Sequence, residues 1–138
     1  MIKIFTLIFL LTFTLFGCAE TKVSQCQKII LITKNIAQES ENNRQTKDIQ
    51  KALKVADAFE EAAQNMKDLK ISDEQLVKYQ LGFAEVYQGY AQTTRQFVAA
   101  LQKKDIPTLQ LMQQQLRQLG RKEPELGEAM NRYCQSNL

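Results

Sequence analysis

From Val23 to Cys134 the apolar residues of this chain return every three or four positions, the spacing that lines them up along one face of an α-helix. Ile29-Ile30-Leu31-Ile32 is the one run that reads as a short strand, and it has no second run to pair with. A lone strand would leave its backbone donors and acceptors unmatched. The pattern therefore predicts an all-α fold.

Polar punctuation divides the pattern into helices. The first runs from Val23 through Cys26, Ile29, Ile36 and Ser40 and ends in the polar turn Glu41 to Arg44. Thr46 is placed as the next N-cap, with Asp48 well sited against the helix dipole, and the second helix extends from about Lys47 to Leu69. Ser72 with Gln75 makes a capping box, and Ile71 with Leu76 a hydrophobic staple. The third helix starts there and continues to about Lys103, some 30 residues or roughly 45 Å. Gly82 and Gly89 lie seven residues apart on it. Each costs about 1 kcal/mol relative to Ala in a helix interior, so a close helix approach or a groove is expected to compensate. Asp105 caps the fourth helix, Pro107 sits in its first turn, and the stripe Ile106, Leu109, Met112, Leu116, Leu119 ends at Gly120. Arg121 to Glu123 reads as a turn, after which Pro124 restarts a short helix bearing Leu126, Met130, Tyr133 and Cys134. Short connections make neighbouring helices antiparallel. The expectation is an up-down-up-down four-helix bundle over residues 23–138, its fourth helix broken near Gly120 to Pro124.

Ahead of the bundle, Lys3 is followed by thirteen residues without charge, Ile4 to Phe16, then by Gly17 and Cys18. This is the layout of a secretory signal peptide. As a transmembrane helix the uncharged segment would reach only about 20 Å, against a hydrocarbon core of about 30 Å. Leu15-Phe16-Gly17-Cys18 resembles the lipobox of bacterial lipoprotein precursors, with Phe16 standing where a smaller residue is commoner. The resemblance implies cleavage after Gly17, removing residues 1–17, and a diacylglyceryl thioether on Cys18, whose new amino group is open to a further acyl chain such as palmitate. Two acyl chains give a stable anchor where one gives marginal binding. Ordinary cleavage that leaves Cys18 a free thiol is the alternative. Residues 18–22 are then a short lipidated tether, which holds the domain close to the membrane.

Cleavage leaves 121 of the 138 residues and 17 basic against 15 acidic side chains, since Lys3 departs. That is one domain of ordinary size, with a charge too mild to argue for nucleic acid. The two remaining cysteines, Cys26 and Cys134, fall near opposite ends of the mature chain, and an even pair in an exported protein reads as a disulfide. The antiparallel topology independently brings the start of helix one beside the end of the last helix. Such a bridge closes a loop of about 109 residues, for which chain entropy gives roughly 4 to 5 kcal/mol as an upper figure. A redox or metal role is weaker, because the chain has no C-x-x-C spacing and no His.

Without His the commonest general base is missing, and Asp57, Glu60, Glu61, Asp73 and Glu74 are most simply solvent-facing or helix N-terminal charges. No catalytic residue, metal site or cofactor is expected. Tyr79, Phe83, Tyr87 and Tyr90, with Gly82 and Gly89 between them, form an aromatic face on helix three that reads first as core and second as a partner or ligand surface. The reading is a non-enzymatic lipoprotein, anchored by Cys18 to a cell or outer membrane with its domain on the non-cytoplasmic, periplasmic side. There it serves as a binding or accessory factor for an envelope protein or membrane complex. The alternatives are a carrier of a small apolar ligand in a groove on helix three and a thiol redox factor.

Overall fold

A computed structural model describes residues 20–43 and 47–136. The expected leader, Cys18 and Thr46 lie outside the described residues. Four helices form: α1 (Lys22–Glu41), α2 (Ile49–Asp68), α3 (Glu74–Lys103) and α4 (Ile106–Gln135), with no strand among the described residues.

Each helix begins on an oxygen that accepts an otherwise orphaned N–H. Thr21 accepts from the Ser24 N–H at 3.1 Å, Asp48 from Gln50 at 2.9 Å, Asp73 from Leu76 at 2.9 Å and Asp105 from Thr108 at 3.2 Å. Two expectations need correction. Helix α2 is capped by Asp48, two residues beyond Thr46. Helix α3 is capped by Asp73 rather than Ser72, because the carboxylate is the better acceptor at a positive helix end and the Ser72 N–H is itself donated to Gln25 Oε1 at 2.8 Å.

The break expected near Gly120 to Pro124 does not occur. Helix α4 runs unbroken through both residues for 30 residues, the length of α3. Pro124 has no N–H for the Gly120 carbonyl, a loss of about 3 kcal/mol in a helix interior. Packing on either side offsets it. Leu119 and Leu126, seven residues apart and bracketing Pro124, seat over Gly89 and Gly82, where an added Cβ would stand 2.9 Å and 3.1 Å from the leucine methyls. The glycines of α3 are thus the close helix approach that their spacing predicts.

Consecutive helices are antiparallel. Arg95 on α3 reaches Asp57 and Glu60 on α2, and Glu85 on α3 accepts from Lys122 on α4, with the glycine seats in register. Helix α3 is the spine, packing most extensively on α2 and α4, while α1 leans chiefly on α2. Ile29, Met66, Leu76, Phe83, Val86 and Tyr87 are the largest fully buried side chains and come from the first three helices. Cys26 and Cys134 are bridged, with their Cα atoms 6.2 Å apart, closing α1 onto the end of α4.

Candidate functional site

The disulfide pole is where the chain enters the bundle, and side chains from three helices lock it. Gln25, only 3% exposed, accepts the N–H groups of both Ser72 and Asp73 through one oxygen, at 2.8 and 3.0 Å. It thereby ties α1 to the start of α3. The Tyr133 hydroxyl donates to Asp73 at 2.7 Å, tying α4 to the same turn. Lys22 places its ammonium 4.9 Å from the centre of the Tyr133 ring and donates to the Tyr133 and Ser136 carbonyls. The Leu76 N–H first, and the Tyr133 hydroxyl after it, hold the Asp73 carboxyl below the usual aspartate range; Asp73 in turn holds the Tyr133 phenol above its own. Sequence reasoning found the cysteines of this pole but missed Lys22 and Gln25, since a polar residue beside an inward cysteine carries no local signal of its partner.

The aromatic face of α3 is core at its centre. Phe83 and Tyr87 are 2% and 0% exposed, and Tyr87 packs between Phe83 and Phe59 with ring centres 6.0 and 5.8 Å away. Tyr79 is half-buried beside Tyr133, and Tyr90 half-buried against Phe59 at 4.7 Å. Gly82 and Gly89 are filled by leucines. The six residues therefore offer no continuous outer surface, and the groove anticipated along helix three is taken up by α4.

Open space lies instead beside α1. One cleft of about 410 Å³ is lined by Ala37, Val55, Phe59, Tyr90, Phe97 and Glu123 among others, and a second of about 560 Å³ by Ile30, Lys34, Phe83, Pro124, Gly127 and Met130 among others. Ala37, Tyr90 and Glu123 line both, so the two form one furrow along the seam of α1 and α4. Near Glu123, which lines both clefts, the Tyr87 hydroxyl is buried and makes no hydrogen bond of good geometry among the described residues. Burial, and secondarily the nearby Glu123 carboxylate, push that phenol far above its ordinary range.

The remaining carboxylates are engaged structurally or face solvent. Asp57 and Glu60 accept from Arg95 at 2.7 and 2.6 Å, Glu61 is exposed, and Glu74 sits in the first turn of α3. No group of three or more His, Cys, Asp or Glu gathers among the described residues. The chain matches no family model, no curated protein and no solved structure.

Proposed function

We propose that this protein is a non-enzymatic lipoprotein, held by lipid on Cys18 to the non-cytoplasmic face of a cell or outer membrane, where the bundle acts as a binding or accessory factor for an envelope protein. The observation that carries the reading is the meeting of two features at one place. The lipobox-like Leu15-Phe16-Gly17-Cys18 ends four residues before Lys22, and Lys22 opens a pole tied by a disulfide, a lysine clamp and the Gln25 and Tyr133 bonds. A bundle tethered at its first residue bears load at that pole, and this is the pole the chain reinforces. No described helix is long and apolar enough to cross a membrane. Membrane fractionation tests the anchor. The wild type should resist salt and carbonate washing and leave with detergent, whereas a chain given an ordinary, fully cleaved export leader in place of residues 1–18 should be released by salt; release of both alike would reject it.

A second reading, carriage of a small apolar ligand, moves from the face of helix three to the α1–α4 furrow, on the strength of its volume and of Phe59, Tyr90 and Phe97 in its lining. A medium-chain fatty acid that raises the melting temperature, and fails to do so in Ala37→Trp, would support it. Redox work on Cys26 and Cys134 is disfavoured, since Cys26 is 2% exposed and an attacking thiolate reaches the pair only from the Cys134 side.

A further inference from the structure

The pole opposite the disulfide is built differently. Every residue from Leu101 to Pro107 is exposed, including Leu101 at 45% and Ile106 at 57%, and the turn between them carries Lys103 and Lys104. The register set by Arg95 against Asp57 and Glu60 brings the start of α2, with the exposed Lys47 and Lys51, beside the end of α3. Helix α1 is ten residues shorter than α3 and α4. The acidic residues here are Asp48 and Asp105, which cap α2 and α4, and Glu41 at the end of α1. Four exposed lysines thus share this pole with two exposed aliphatic side chains.

A second observation singles out Lys104. It closes α3 in the left-handed region, φ 56° and ψ 33°, with its own N–H on the Leu101 carbonyl and the Asp105 N–H on the Ala100 carbonyl. That is the helix-ending geometry in which glycine is the usual residue because a Cβ is strained there. A lysine held at a position where glycine is easier points to a use for its side chain.

We propose that this pole docks on an anionic membrane, with Lys47, Lys51, Lys103 and Lys104 meeting lipid phosphates and Leu101 and Ile106 entering the headgroup layer. Composition favours lipid over a protein partner: protein interfaces are enriched in arginine and aromatic rings and depleted of lysine, and the described residues of this pole offer lysine and aliphatics. Lysine beside aliphatic side chains is the makeup of membrane-surface segments. Lipid on Cys18 at one pole and this contact at the other would lay the bundle's long axis, roughly 45 Å, along one bilayer. The docking surface belongs to the bundle alone and stands or falls separately from that lipid.

The bundle's core, caps and disulfide all fall within residues 20–136, so the chain lacking its first 19 residues carries the whole fold and is free of the apolar leader. Sedimentation with vesicles of phosphatidylcholine, alone or with one third phosphatidylglycerol, should show binding only to the anionic vesicles, weakening with salt. Lys103→Gln with Lys104→Gln should weaken it about 25-fold, roughly fivefold per lysine, and Leu101→Ser with Ile106→Ser should also weaken it. Lys70→Gln with Lys78→Gln, two exposed lysines at the other end, should leave it unchanged. Lys104→Gly is the sharpest variant, since it should raise the melting temperature while weakening vesicle binding about fivefold. Equal binding to both vesicle types, no binding to either, equal losses from the two lysine pairs, or a preference for polyglutamate over anionic vesicles would each overturn the proposal.

Discussion

Tyr87→Phe removes one oxygen and leaves the rest of the core in place. The ring is fully buried, stays within reach of Phe59 and Phe83, and its hydroxyl makes no hydrogen bond of good geometry among the described residues. An unsatisfied buried hydroxyl costs about 1 to 3 kcal/mol, so the variant should be more stable than the wild type by about 1 to 2 kcal/mol once the small void left behind is allowed for. For a domain of this size that is a rise of roughly 3 to 10 °C in Tm. The gain should grow in alkali. Burial and Glu123 raise the folded-state pKa of Tyr87 above its unfolded value near 10, so above that pH the unfolded chain releases a proton that the folded chain keeps. The wild type therefore loses about 1.4 kcal/mol of stability per pH unit as pH rises above about 10 toward the folded-state value, and phenylalanine removes that slope. Urea unfolding followed by far-ultraviolet circular dichroism, near pH 7 and again near pH 11, reads both effects. A variant less stable than the wild type at neutral pH, or an alkaline loss parallel in the two proteins, would refute the reasoning.

Reducing the disulfide, or replacing Cys26 and Cys134 with Ser, should cost up to about 4 to 5 kcal/mol, visible as a lower urea midpoint; a midpoint that hardly moves would mean the pole is held by its other bonds. Asp73→Ala deletes the α3 cap and should cost about 1 kcal/mol at neutral pH. Because the folded-state pKa of Asp73 is depressed, its contribution is present above the unfolded aspartate value near 4 and lost as pH falls through the lower folded value, so Asp73→Asn should flatten the acid limb of a stability profile. Gly127→Ala, where an added Cβ meets nothing within 4 Å, should raise stability by about 0.5 to 1 kcal/mol in thermal melts, whereas Gly89→Ala presses on Leu119 and should gain less or lose.

How much of this was legible before the structure varies from helix to helix, and for physical reasons. The length of α3 followed from a capping signal at one end and an apolar stripe that stops at Lys103, because local rules govern both. The disulfide followed from topology, since antiparallel neighbours of similar length must return the chain to its start. Continuity through Pro124 was not legible: Gly120 and Pro124 are real local stop and restart signals, overridden by leucine-on-glycine packing between residues 30 and 44 positions apart. The caps at Asp48 and Asp73 were missed by one or two positions because good capping residues stand side by side there. Periodicity placed Tyr87 and Tyr90 on one face but gave no depth, and Tyr87 is core while Tyr90 edges the furrow. The furrow itself depends on how closely α1 settles against α4, which no residue of either helix encodes alone.

Intact mass spectrometry of the protein extracted from its own membranes tests the lipid-anchored reading most directly. The proposal predicts a chain that begins at Cys18, with residues 1–17 removed, heavier than its peptide mass by a diacylglyceryl group and any further acyl chain, all of the excess localised to Cys18. A chain retaining residues 1–17, or one beginning at or near Cys18 with a free thiol, would contradict it.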